Sequence, residues 1–298
     1  MSRNIWCLWE PPGTLPGYLR ACLRTIERNS GAPVRLLTGN DVQDLAPQMR
    51  PDLAGRLENI AQRSDYYRSH LLAAQGGLWL DVDIVVLKDL TFVFDAVLTH
   101  DLVARQSVQG HVSNGFLGAP PQSPIVHEWI GRQTAVIEAL ARGAAPSWVQ
   151  LGATTLTESL RSGSVHLIPT EKVAPVPWTQ SHEFLSRFTS PEDALRADPA
   201  TVMLYNAQFP TRLRGMSEGE VLRSPMMVSR LLRVALGEST RAVERRIVDP
   251  PGRLLETAGR KARGTARRLS VWNSQRRRIS WGRRRERQRL RTPVERQG

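Results

Sequence analysis

The sequence predicts an α/β domain built on a mostly parallel sheet, and three observations predict it. The first 45 residues alternate short apolar runs with helical spacing. Further on, the ten-residue apolar run from Leu78 to Leu87 is broken only by two aspartates. The body of the chain carries almost no net charge, and hydrophobic residues make up 41% of the 298, enough for an ordinary core.

Asn4-Ile5-Trp6-Cys7-Leu8-Trp9 reads as a short buried strand, ended by the turn Glu10-Pro11-Pro12-Gly13. Leu15, Leu19, Cys22, Leu23 and Ile26 recur at helical spacing, which predicts a helix over 15–29. Val34–Leu37 follows as a second strand, and Thr38–Asp41 as a loop that caps the next helix. Strand, helix, strand, helix is how a parallel sheet covered by helices begins. Ile60–Ala74 is the next helix, ended by Gly76-Gly77. The run Leu78–Leu87 reads as a buried strand, a turn and a second short strand. Strands are expected at Leu102–Arg105, Gly115–Gly118, Val165–Pro169 and Thr201–Tyr205, and helices at Ile125–Leu140 and Met226–Leu236.

The formal net charge of +13 belongs to one end of the chain. Residues 1–240 hold 22 Lys and Arg against 23 Asp and Glu, whereas residues 241–298 hold 19 against 5. The expected organisation is therefore a catalytic-type domain over 1–245 and an Arg-rich tail over 246–298. Two cysteines, Cys7 and Cys22, are too few for a disulfide framework and read as small core residues in a reducing compartment. No apolar run approaches the roughly 18 residues of a membrane-spanning helix. The first residues are not those of a signal peptide. A cytoplasmic protein is expected.

The two aspartates, Asp81 and Asp83, need a physical reason. An ionised carboxylate is costly to bury unless it is paired or binds a metal. At spacing two on an extended chain both side chains point to one side. They would lie at the carboxyl end of a strand, where open α/β sheets bind ligands. A hard divalent cation with oxygen ligands, Mn²⁺ or Mg²⁺, suits them and would neutralise a leaving diphosphate. Asp-x-Asp by itself is also the pattern of turn or capping aspartates.

The neighbouring residues narrow the choice. Ser64-Asp65-Tyr66-Tyr67-Arg68, then Leu71-Leu72, then Gly76-Gly77-Leu78-Trp79-Leu80-Asp81-Val82-Asp83 resembles the DXD sugar-binding block of glycosyltransferase family 32. That family includes initiating mannosyltransferases and capsule or lipopolysaccharide transferases, and the block recurs in clostridial glucosylating toxins. The resemblance implies a GT-A-type fold and transfer of a hexose, with retention, from a nucleotide-diphosphate sugar. It implies that Asp83 is the main metal ligand and that Asp81 contacts ribose, donor sugar and, through water, the metal. Asp65 and Arg68 would bind donor-sugar hydroxyls or the diphosphate. Trp9 would lie against the nucleotide base, although core packing explains it equally.

Asp65 and Arg68, three apart, share a helix face. A carboxylate accepts from hydroxyls and a guanidinium donates to phosphate or hydroxyl oxygens, yet the same pair also reads as a solvated ion pair. Val112-Ser113-Asn114-Gly115-Phe116 is similar to the family's Asn-Gly segment at the donor site, with a plain Asn-Gly turn as the alternative. Leu151–Thr157 resembles a family segment facing the acceptor, with Ala153 where proline is usual; a helix N-terminus is the other reading. The family's late metal-binding His is missing. Met203-Leu204-Tyr205-Asn206 stands in its place, and Asn206 becomes the candidate second metal ligand, a site completed by water being the alternative.

In the tail, Arg276-Arg277-Arg278 and Arg283-Arg284-Arg285 alternate with Trp272, Ile279 and Trp281. Arg beside Trp suits an anionic membrane surface, with a solvated charge run as the alternative. Nucleic acid is a disfavoured partner, because the body shows no basic patch. The expected partners are a nucleotide-sugar donor, with UDP-hexose ahead of GDP-mannose, and a saccharide or lipid-linked acceptor, as in surface-polysaccharide synthesis. The tail would hold the enzyme peripherally on the inner membrane face. The rival functions are a toxin-like protein glycosyltransferase and a membrane- or nucleic-acid-binding protein with a degenerate sugar site.

Overall fold

A computed structural model describes residues 3–106, 111–141 and 144–239. Among the described residues eight strands form: β1 Ile5–Leu8, β2 Val34–Leu37, β3 Gly77–Leu80, β4 Ile84–Val86, β5 Leu102–Gln106, β6 Val112–Ala119, β7 Val165–Ile168 and β8 Thr201–Met203. Six of them make one sheet in the order β2-β1-β3-β6-β5-β7. β1 runs parallel to β2 and β3, and β5 parallel to β7, while β6 is antiparallel to both its neighbours. β4 and β8 form a separate antiparallel pair. This is the mostly parallel α/β architecture expected from the sequence.

Strand side chains alternate between the two faces of the sheet. Trp6, Leu8, Trp79, Ala104 and Leu117 pack on one side, in a core shared with residues of the Ile60–Gln75 and Pro124–Glu138 helices. Ile5, Cys7, Leu78, Leu80, Val103 and Phe116 pack on the other, with Val93, Phe94 and Val97 of the Thr91–Val97 helix. A third cluster joins the Gly17–Asn29 and Met227–Ala235 helices to Val85 and Val202 of the small sheet. Cys7 and Cys22 are free and buried, as expected of core residues.

The Ile60–Gln75 helix begins under an Asn59 cap, whose side chain accepts from Ala61 N–H at 2.8 Å. It ends at Gly76 and Gly77, which have φ of 62° and 103°. A Cβ on Gly76 would lie 2.6 Å from Pro121, and one on Gly77 2.6 Å from Asn4 O. Only glycine meets both demands at this sharp entry into β3.

One local expectation is corrected and one alternative reading falls. Thr38 closes a capping box with Asp41, so Gly39–Asp41 form the first turn of a helix rather than a loop. Asn114-Gly115 is no turn; it lies inside β6, where Gly115 O accepts from Asp81 N–H at 2.9 Å. Among the described residues no helix is long and apolar enough to cross a membrane. The expected boundary near residue 245 and the membrane-binding tail of 246–298 lie outside the described residues.

Candidate active site

The site forms where β3 stops. Extended backbone ends at Leu80, and a turn brings Ile84 N–H to Asp81 O at 3.1 Å. Asp81 and Asp83 therefore reach one cavity through a turn, not through the strand alternation expected from their spacing. The cavity has a volume of about 640 Å³, and Trp9, Asp65, Arg68, Asp81, Asp83, Asn114 and Asn206 all line it. The seven residues expected at the donor and metal site are thus gathered at one place, whereas of the Leu151–Thr157 segment only Gly152 and Ala153 line the cavity, and Thr155 and Thr157 donate to Leu151 O and Ala153 O.

On one side the groups are tightly bonded to one another. Arg68 pairs with Asp65 at 3.3 Å and with Asp81 at 3.1 Å, and its side chain is only 5% exposed. It also donates to Asn114 O and Ser64 Oγ, and its guanidinium lies 4.9 Å from the Trp79 ring centre. Asn114 Nδ2 donates to Asp65 Oδ1 at 2.6 Å, and Trp79 Nε1 to Asp81 Oδ1 at 2.9 Å. The Asp65–Arg68 pair is buried rather than solvated. Burial pushes the Asp65 carboxyl up to about 7 and the Asp81 charge adds to it, against the opposing pull of Arg68 and Asn114.

The other side is held by backbone from far along the chain. Asn206 N–H donates to Asp83 Oδ2 at 2.6 Å. Tyr205, at φ 59°, turns the chain out of β8 and aims that N–H. The Asn206 side-chain oxygen accepts from the Tyr18 hydroxyl, and its carbonyl from Arg214 Nη2 at 2.9 Å. Burial pushes the Tyr18 hydroxyl up, so it remains a donor. Asp83 is buried; that burial, with the Asp81 charge, lifts its carboxyl to about 6.

Two neighbouring carboxylates that raise one of them in this way are a place that a divalent cation relieves. Among the described residues no group of three or more His, Cys, Asp or Glu is placed to hold a metal ion by itself. His182 instead pairs with Glu183 at 2.9 Å, away from the cavity lining. The two carboxylates are oxygen donors, which suit a hard cation and not zinc, whereas the Asn206 group that meets Asp83 is its backbone N–H and its side-chain oxygen is turned to Tyr18.

Trp9 lines the cavity and donates from Nε1 to Thr14 Oγ1 at 3.1 Å. Trp6 is buried, with Nε1 on Gly76 O at 2.7 Å. Several contributors escaped the sequence reading. Tyr18 and Arg214 hold Asn206, and Trp79 orients Asp81. Gly152 has so little room that a Cβ would lie 2.3 Å from Asn114 Nδ2 and 2.7 Å from Asp65 Oδ2. Gly152 sits in a π-helical turn, Gln150–Thr154, a distortion often found at functional sites. Only Trp79 and Gly152 stand in segments the resemblance touched; Tyr18 and Arg214 carry no local signal.

Residues 27–104 match the family model of the glycosyltransferase sugar-binding region containing the DXD motif. That stretch contains Asp65, Arg68, Asp81 and Asp83 and supports reading the chain as a glycosyltransferase. The mostly parallel α/β sheet described above is the architecture expected beside that block. No curated protein matches the chain. Three solved structures are similar. The galactosyltransferase LgtC, in complex with donor and acceptor sugar analogs, is 14% identical; the match covers 84% of this chain and 98% of that one, with a TM-score of 0.45. The glycosyltransferase GlyE of Streptococcus pneumoniae TIGR4 is 13% identical over 82% of this chain and 62% of its own, at 0.44. A glycosyltransferase involved in glycosylation of the major capsid of PBCV-1 is 14% identical, over 78% and 100%, at 0.42.

Proposed function

We propose that this chain transfers a hexose from a nucleotide-diphosphate sugar to a hydroxyl of a saccharide or lipid-linked acceptor. The bond from the anomeric carbon to the diphosphate oxygen breaks, and its electron pair leaves with the diphosphate. The acceptor oxygen bonds to the anomeric carbon and passes its proton to the departing diphosphate. The observation that carries the reading is the buried cluster Asp65, Arg68, Asn114 and Asp81, standing beside Asp83 in one cavity.

Asp65 and Asn114 present an acceptor and a donor side by side, the pairing that sugar hydroxyls need. Arg68 already serves both carboxylates, so it acts by fixing their positions and supplying positive potential. Asp83, with Asp81 and the Asn206 amide, would hold Mn²⁺ or Mg²⁺. Such a cation supplies charge stabilisation to the departing diphosphate. Trp9 offers a ring for the base, and a UDP-sugar is the preferred donor. Retention at the anomeric carbon and a place in surface-polysaccharide synthesis come with the family resemblance. The domain limits of 1–245 and a tail that attracts an anionic membrane belong to the same proposal.

The test is a hydrolysis and binding panel of UDP-glucose, UDP-galactose, UDP-N-acetylhexosamines and GDP-mannose with Mn²⁺ or EDTA. Turnover of one donor that EDTA abolishes supports the reading. A folded protein that binds none of them contradicts it.

A further inference from the structure

The cavity has an aromatic rim that the donor reading leaves without a role. Trp148 is 61% exposed and lines the cavity together with Val149, Asn59 and Ser64. An aromatic ring on the lining of a cavity offers an apolar face to what binds there. Its backbone is pinned on both sides. The buried Gln62 side chain donates to Pro146 O at 2.9 Å, and Ser147 N–H donates to Gln150 Oε1 at 3.0 Å. Just beyond, Leu151 O accepts from Trp129 Nε1 at 2.9 Å and from Gln133 Nε2 at 2.7 Å. The ring is presented on fixed backbone, so little ordering remains to be done when a ligand arrives.

Position selects the ligand. Trp148 leads directly into the Gln150–Thr154 turn, and Gly152 of that turn packs on Asn114 and Asp65, the pair proposed to hold the donor sugar. Transfer requires the acceptor ring to lie next to that sugar. A pyranose has a face of C–H groups and a rim of hydroxyls. The C–H face matches an exposed indole, and Asn59 and Ser64 supply polar groups to the hydroxyls. We propose that Trp148 is the stacking platform for the pyranose ring of a saccharide acceptor. The inference rests on the transferase reading.

The full chain, labelled with 5-fluorotryptophan, tests it by fluorine NMR. The eight tryptophans give eight resonances, and Trp148→Phe identifies the one in question. The probes are UDP with Mn²⁺, followed by methyl glycosides of glucose, galactose, mannose and N-acetylglucosamine. The expected result is a Trp148 resonance that ignores UDP alone and shifts with at least one glycoside. Trp148→Ala should weaken that glycoside about tenfold, equivalent to about 1.4 kcal/mol, and Trp148→Phe should restore most of the affinity. A resonance that shifts with UDP alone, or with none of the glycosides, overturns the platform. Should neither UDP nor GDP, tested in its place, move any of the eight resonances, the transferase reading fails instead; a glycoside shift at Trp148 would then still uphold a saccharide surface.

Discussion

The two halves of the site are built in opposite ways. The Asp65 half lies on one helix and two neighbouring strands, and its charged groups are closed on one another by Arg68. The Asp83 half is assembled from chain 123 positions apart, and a single backbone N–H from Asn206 meets a carboxylate that burial and Asp81 have lifted to about 6. The first half is a finished polar network, stiff before any ligand binds. The second leaves charge to be balanced by what binds there. The proposed transfer would use this division, with the sugar oriented on one side and the departing diphosphate neutralised on the other.

The comparison can be broken at several points. Arg68→Ala should cost most, because it strands the buried Asp65 carboxylate and removes a partner from Asp81. A loss of about 3–5 kcal/mol in urea unfolding is expected from breaking a buried pair, whereas a loss under about 1 kcal/mol would show the network to be ornamental. Acid should loosen the same helix next. Burial, reinforced by the His127 charge, lowers the His70 imidazole to about 4, and Tyr66 packs edge-on to it. A folded value below the unfolded one means stability is complete above about 6.5 and is lost as pH falls toward 4. That loss is roughly 3 kcal/mol at most. Unfolding curves of wild type and His70→Leu, compared at both ends of this window, should show the steeper fall in wild type.

Gly152→Ala should act on the sugar half alone. A Cβ there displaces the Asn114–Asp65 bond, at a cost of about 1–3 kcal/mol typical of overpacking, with sugar-donor affinity reduced more than that for free UDP. Equal reductions would deny the division into halves. Tyr18→Phe is the mildest change. It frees the Asn206 side chain, and about a tenfold weakening of Mn²⁺, read by calorimetry in the presence of UDP, is the effect expected of an outer partner.

The same contrast explains what could be read in advance. Asp65, Arg68, Asp81 and Asp83 fall within twenty residues of sequence, in a block that resembles a known sugar-binding block, so their convergence was legible, although the turn that carries Asp81 and Asp83 reads as strand. Asn206 was legible as a position but not as a backbone donor, because its role depends on the left-handed turn at Tyr205. Asn114-Gly115 reads locally as a turn, yet pairing with β3 pulls it into a strand: local turn chemistry yields to sheet context there. Tyr18 and Arg214 meet Asn206 only through tertiary packing, which leaves no trace at short range.

The central claim concerns Asp83, and one comparison tests it most directly. Wild type and Asp83→Asn should be matched for folded fraction and assayed for turnover of the accepted donor across a range of Mn²⁺. Asparagine keeps the shape and can still accept from Asn206 N–H, so only the charge is removed. The account predicts a loss of about a hundredfold or more, on the scale of removing an electrostatic stabiliser, that added Mn²⁺ does not rescue. Turnover within a few-fold of wild type would contradict the assignment of the cation and the diphosphate to this side of the site.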